Sequence, residues 1–259
     1  MARDTQSAAR NYGWRPDLPD MRDRAYTAPL GVLKGMPQKV DLRPQGPPVV
    51  NQGRLNSCTG NAIAAAHYFD QLKQKVAKPF QPSRLFIYYN ERLAEGSAKV
   101  DAGAYIRDGF KAIGKQGDCP ETTWLYDVTK VTKKPVAAAY KEALAHQAIS
   151  YMRVQQTLGQ LKGCLADGYP FVFGFTVYTS FESPEVAKTG VVPLPTHGDK
   201  VIGGHAVMAI GYDDIRQRFI VQNSWGRDWG SKGYCFMPYS YLTDSDLAAD
   251  FWTVRTVEA

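Results

Sequence analysis

Cys58 closes a turn-rich polar run, "NQGRLNSC", and opens "TGNAIAAAHYF", a stretch with a helix-like apolar face. A cysteine in the first turn of a helix meets the positive end of the helix dipole and backbone N–H groups that lack helical partners. Both favour the thiolate, the nucleophilic form. Taken by itself, Cys58 reads first as a small buried hydrophobe, the commonest fate of a free cysteine. Thiolate catalysis also needs a base to take and return a proton, and a third group to hold that base. The chain has four histidines. His67 falls inside the first expected helix and His146 in a polar one, places for packing or surface residues. His197, in the loop "LPTHGDK", competes with His205, which follows "GG" and opens the strand-like run "HAVMAIGYDD". A rigid strand can present a ring at the edge of a cleft. Further on, "VQNSWGRDWG" supplies Asn223, whose amide oxygen accepts an imidazole N–H without adding charge, and Trp225, which can cover that bond from water. Alone, Asn223 is an ordinary turn former.

These groups must be positioned by elements of two kinds. Apolar residues recurring at three and four predict a helix over 57–76, and similar patterns predict helices over 83–96, 104–117 and 135–148. Ser83 is the expected N-cap of the second, and Gly96 and Gly117 stop the second and third. After a short helical stretch, "TLGQLKGCLADG", the runs "YPFVFGFTVY", "HAVMAIGYDD", "RFIVQNSWG", "GYCFMPY" and "DFWTVRTV" read as strands bounded by Gly, Asp and Pro. Helices first and strands later imply an α+β chain of two lobes, 36–155 carrying the nucleophile and 156–259 carrying His and Asn. Residues 1–35, rich in Pro, Gly, Arg and Asp with isolated Trp14, Leu18 and Met21, cannot make a core and read as a floppy tail or an arm laid on the body.

Together, "NQGRLNSCTGNA", "GGHAVMAIGYDD" and "NSWGRDWGSKGY" resemble the three signature blocks of the papain-like cysteine peptidases, in that family's order Gln, Cys, His, Asn. The step of six from Gln52 to Cys58 matches, and the run-in "VDLRPQGPPVVNQG" is similar. The resemblance extends from Met36 to the C-terminus and is nearest to the compact bacterial members. It implies a papain-like two-lobe fold, a helical left lobe beside an antiparallel β-barrel-like right lobe with the active site in the groove between them. It also implies a cysteine endopeptidase acting on peptides or proteins without a cofactor. On that pattern Cys58 is the nucleophile, His205 the base and then acid, and Asn223 the orienter, while Gln52 and the Cys58 N–H form the oxyanion hole. Trp225 is the shield. Gly103, in "DAGAYIRDGFK", and Gly204 line the substrate cleft. The chain departs from the pattern at Leu55, where many relatives carry a cysteine, at Asn56 in place of a glycine, and at Thr59 in place of a tryptophan; these changes bear on subsite shape.

Other classes fit less well. The 259 residues carry a formal charge of +6, but Lys and Arg are spread out, with only "KVTKK" clustered, so a solvated basic surface is expected rather than a nucleic-acid face. No apolar run is long enough for a membrane span or signal peptide, which predicts a soluble, monomeric chain of unassigned compartment. Cys58, Cys119, Cys164 and Cys235 form no C-x-x-C pair, so no metal site is expected and at most one disulfide, Cys119–Cys164. An amidase or acyltransferase using the same dyad expects Asp where Asn223 stands. A silenced peptide-binding protein is the reading from a different class. The N-terminal arm is too short for the family's folded propeptide; residues 10–30, with Trp14, Leu18 and Met21, are expected to plug the groove or to be a disordered tail.

Overall fold

From residue 11 onward the arm is laid on the body of the protein. The structure, a computed structural model, describes residues 11–258; residues 1–10 of the expected arm fall outside the described residues. From residue 11 the arm gives two short strands, β1 (Trp14–Arg15) and β2 (Ala25–Tyr26), and a one-turn helix, α1 (Leu30–Lys34). Strand β3 (Lys39–Asp41) follows. Trp14 is 7% exposed, but Leu18 and Met21 are 73% and 101% exposed. The expectation that all three apolar residues lie in the groove is therefore corrected: a turn at residues 21–23 carries Met21 outward, and only the tryptophan is buried.

Helix α2 (Cys58–Lys73) is buried at thirteen of its sixteen positions. A helix apolar all round needs protein on every side, and small alanines let neighbours approach closely. Next come α3 (Arg84–Ala94), capped by Ser83, whose Oγ accepts from Phe86 N at 3.1 Å, then β4 (Ala104–Tyr105) and α4 (Ile106–Gln116). Gly117 ends α4 at φ 72°, which favours a residue without Cβ. The fourth expected helix shortens to α5 (Ala137–Ala143), because the chain is extended again by β5 (Ala148–Val154).

The second half supplies α6 (Leu158–Ala166), β6 (Phe171–Tyr178), α7 (Pro184–Thr189), β7 (Val201–Asp213), β8 (Arg218–Gln222), β9 (Tyr234–Pro238), α8 (Tyr239–Thr243) and β10 (Ala248–Val257). The large sheet has eight strands in the order β2-β5-β10-β6-β7-β8-β9, with β3 pairing to β7 off that path. All its pairs are antiparallel except β2 with β5. Among the described residues no ladder joins the two ends, so the sheet is open rather than a closed barrel. Helix α2 packs on α3 and α4 on one side and on β6, β7 and β10 on the other, which makes it the wall shared by both halves.

All four cysteines are free and buried, which corrects the expected Cys119–Cys164 bridge. The physical reason is location. Cys119 packs with Leu85, Phe86 and Trp124 in a separate helical cluster, whereas Cys164 sits in the main core with Leu161 and Leu165. Among the described residues no helix is long and apolar enough to cross a membrane.

Candidate active site

Cys58 is the first residue of α2 and is 0% exposed. The start of this helix is braced from the side. Ser57 Oγ and Tyr126 OH share a 2.6 Å hydrogen bond, Asn61 Nδ2 donates to Ser57 O at 2.8 Å, and Arg84 Nη1 donates to Asn61 Oδ1 at 3.0 Å while pairing with Glu121. Behind the cysteine, Thr59 Oγ1 donates to Glu91, whose carboxyl is held well above the usual range by complete burial.

The opposite wall comes from the sheet. Strand β7 pairs His205 with Phe175 of β6 and buries the imidazole. His205 Nε2 lies 2.8 Å from Asn223 Oδ1, and the same oxygen accepts from Ser224 N at 2.8 Å. Trp225 stacks on the ring with centroids 4.9 Å apart, and Phe175 meets it edge-on at 5.7 Å. Gln52 joins the two walls. Its N donates to Ser224 O at 2.8 Å, its Oε1 accepts from Ser224 Oγ at 2.6 Å, its Nε2 donates to Leu55 O at 2.9 Å, and its carbonyl accepts from Tyr126 OH at 2.9 Å. Helix α2 packs on β7 here, and the backbone of Ala206, the neighbour of His205, acts to lower the pKa of the Cys58 thiol.

The residues singled out in the sequence thus lie together: Gln52, Cys58, His205, Asn223 and Trp225 meet where α2 abuts β7. The other histidines lie elsewhere. His197 sits in an exposed loop, His146 lies edge-on to Phe80, and His67 is buried in α2, where burial pushes it down to about 3 and keeps it neutral. Gly103 and Gly204 lie against the arm. A Cβ on Gly103, which has φ 72°, would come 2.0 Å from Gly13 O, and one on Gly204 would come 2.5 Å from Trp14 O.

The arm therefore runs through the groove. Strand β1 pairs in parallel with β4, Ala104 N donates to Gly13 O at 2.7 Å, and Gly13 packs so tightly on Asn56 that a Cβ would fall 1.8 Å from its carbonyl oxygen. Tyr12 lies edge-on to His205 and Trp225 and bonds Glu182 through its hydroxyl. The thiol responds to this cover. Burial pushes it up to about 11, overriding the backbone hydrogen bonds from Ala206, Gly13 and Thr59 that pull the other way. The expected thiolate-favouring helix terminus is present, but desolvation outweighs it.

Three contributors had little signal in the sequence. Ser224 was covered by the turn reading of "NSWG", Tyr126 lay in a segment without periodicity, and Asp250 sat inside a strand pattern although it reaches the arm.

Comparison with known proteins adds a family. Residues 36–250 match the profile of the papain family cysteine proteases. A peptidase C1-like protein, L477, of Acanthamoeba polyphaga mimivirus is 42% identical, covering 98% of this chain and 89% of that protein. The cathepsin B-like CP3 of Giardia intestinalis is 30% identical over 82% of this chain and 73% of its own. Among solved structures, xylellain, a cysteine protease from Xylella fastidiosa, superposes with a TM-score of 0.89 at 44% identity, covering 96% of this chain and 98% of that one. A digestive procathepsin L of Tenebrio molitor shares the fold at 17% identity, with a TM-score of 0.73 over 95% of this chain and 76% of its own.

Proposed function

This chain belongs to the papain family of cysteine proteases, and we propose that it cleaves peptide bonds with Cys58 as nucleophile, His205 as base and then acid, and Asn223 as the group that orients the imidazole. The observation that carries this reading is the 2.8 Å bond between His205 Nε2 and Asn223 Oδ1, with His205 on the strand β7 that packs against the Cys58 helix. With Nε2 held by the amide oxygen, Nδ1 is the nitrogen that exchanges a proton with sulfur. The thiolate attacks the scissile carbonyl, an S–C bond forms and negative charge moves to oxygen. Gln52 keeps a second Nε2 hydrogen beyond the one given to Leu55, and this hydrogen and the Cys58 N–H stabilise the oxyanion. Collapse breaks the C–N bond as His205 protonates the leaving amine. Water, deprotonated by His205, then cleaves the acyl-enzyme and restores the thiol.

Residues 11–17 act on the same site as a plug. Supporting this are Gly13 packed against Asn56 and Gly103, the buried Trp14, and a thiol that burial pushes up to about 11. The groove between the helical and strand halves then takes peptide or protein substrates only after the arm moves.

The test is an epoxysuccinyl peptide applied to the full chain under reducing conditions, with added mass located by peptide mapping. Cys58 should be labelled and the other three cysteines should not, and Trp14→Ala should label at least tenfold faster. Equal rates for the two proteins would end the plug reading. A folded protein that takes no label in either form would instead be a silenced peptide-binding member of the family.

A further inference from the structure

Arg84 is a charge buried where two helices meet. Gly60 of α2 lets α3 come close, since a Cβ there would fall 2.8 Å from Arg84 O and 2.9 Å from Tyr88 Cβ. The Arg84 side chain, 8% exposed, then lies beside the first turn of α2. Its Nε and Nη2 donate to the two oxygens of Glu121, each at 2.8 Å. Its Nη1 donates to Asn61 Oδ1 at 3.0 Å and to Asn51 O at 3.1 Å. The guanidinium also covers the ring of Tyr126, with Cζ 3.9 Å from the centroid, and the Tyr126 hydroxyl donates to Gln52 O at 2.9 Å.

These contacts converge on two consecutive carbonyls. Asn51 O and Gln52 O are both held from the helical half, while Gln52 N donates to Ser224 O and Asn51 forms a β-bridge with Trp225 on the strand half. Both residues lie in a loop, where no helix or ladder fixes the backbone. Packing alone does not ask for arginine here, because a buried ion pair can be replaced by apolar residues of similar volume at little cost to stability. What the guanidinium adds is a planar fork whose donors stand at fixed angles. With Glu121 gripping one edge, the other edge delivers its hydrogens to a set place.

Resting on the proposed peptidase reading, we infer that Arg84 and Tyr126 are positioning residues for the oxyanion hole: they fix the backbone of Asn51 and Gln52 from behind, and so set where the spare Gln52 Nε2 hydrogen points. In the proposed reaction neither holds the substrate or exchanges a proton with the sulfur. A misplacement of about 1 Å costs up to about a hundredfold in rate, and here it falls on attack at the carbonyl, not on the reactivity of the thiol. Alkylation by iodoacetamide separates the two. Sulfur displaces iodide, the S–C bond forms as C–I breaks, and no oxyanion arises, whereas hydrolysis of a peptide p-nitroanilide forms an oxyanion in acylation and again in deacylation.

The experiment compares Arg84→Lys and Tyr126→Phe with their parent, all in the full chain carrying Trp14→Ala so that the arm limits neither reaction. Arg84→Lys keeps the charge beside Glu121 but loses the fork. Its kcat on the p-nitroanilide should fall about tenfold or more with KM within about twofold, while iodoacetamide adducts mapped to Cys58 form within about threefold of the parent rate. Tyr126→Phe keeps the ring under the guanidinium and should show the same split at a smaller size. In a chain that also carries Gln52→Ala, Arg84→Lys should lower kcat less than about threefold further, since it acts through a side chain already gone. An unchanged kcat in Arg84→Lys overturns the inference, as does alkylation slowed in step with kcat, or a full additional loss on top of Gln52→Ala. If Arg84→Lys fails to fold, Tyr126→Phe decides alone by the same split. A parent that is alkylated at Cys58 yet releases no p-nitroaniline overturns the peptidase reading itself, a different result from turnover that the variants leave unchanged.

Discussion

Gln52 serves three neighbours through one side chain and its backbone, which is why its removal should separate chemistry from folding. Gln52→Ala deletes the proposed oxyanion donor, so kcat should fall on the order of a hundredfold, while two lost neutral hydrogen bonds should cost about 1–3 kcal/mol of stability. Steady-state kinetics beside thermal unfolding would check both. Ser224→Ala leaves the donor present but releases Oε1, which Ser224 Oγ holds at 2.6 Å; kcat should fall by a smaller factor with KM unchanged, and a loss as large as that of Gln52→Ala would contradict the positioning role. At this scale much was legible. The order of Gln52, Cys58, His205 and Asn223 along the chain singled out residues that the fold gathers; Cys58 opens α2 and Asn223 directly follows β8, whereas His205, expected to open a strand, lies inside β7. Ser224, Tyr126 and Asp250 were not legible, since their partners lie far away in sequence and periodicity carries no record of tertiary pairing. The state of the thiol was not legible either, because burial by a distant segment reverses what the helix terminus favours.

The arm has two parts with different work. Residues 11–17 fill the groove, whereas β2 pairs with β5 and places Tyr26 and Ala28 in the core. A chain beginning at Leu18 loses the buried Trp14 and the Asp17 hydrogen bonds but keeps Tyr26 and Ala28, so its melting temperature should fall less than that of a chain beginning at Met36, and it should label at Cys58 at least tenfold faster. A chain beginning at Met36 should lose several degrees, because it strips both core residues. Docking of the first element should also depend on pH. Asp17 Oδ2 accepts from Trp252 at 3.0 Å and Oδ1 from Arg107 N at 3.2 Å, and the carboxyl faces Asp250 with Arg107, Arg153 and Asp23 nearby. Burial first, then the Asp250 charge, pushes it up to about 7. A carboxyl whose pKa is higher when docked than when released favours docking fully below about pH 4. That advantage drains away as pH rises toward 7 and is level above it. Asp17→Asn mimics the protonated form, so it should label no faster than wild type near pH 4 and more slowly near pH 7.5. An unchanged ratio across that range would refute the linkage. The helices and strands themselves were legible from period and stop signals, but the parallel pairing of β1 with β4 was not, because a two-residue strand has no pattern to read.

Over the whole molecule, α2 is, among the described residues, the longest helix that faces both halves: α3 and α4 lean on one side of it and the sheet on the other, and α4 itself reaches β10 through Phe110 and Trp252. Phe69, fully buried in α2, should on truncation to alanine cost about 3–5 kcal/mol. Hydrogen exchange should then speed up equally in α3 and in β8, whereas acceleration confined to one side would show that the halves unfold separately. The switch from helical to strand patterns was legible, but the recruitment of β2, β3 and β5 into the large sheet was not; nor was the shared wall, since a segment rich in alanine does not state which surfaces it will separate. The short stretch between Asp17 and Ala25 has a further consequence. It keeps the proposed plug tethered beside the groove, where its effective concentration would be in the millimolar range whatever the concentration of the protein. Under the proposed plug, dilution should therefore leave activity unchanged. A single cut in the exposed turn at Met21 would change the order of the process, making a unimolecular latch into a dissociable ligand whose grip weakens with every doubling of volume.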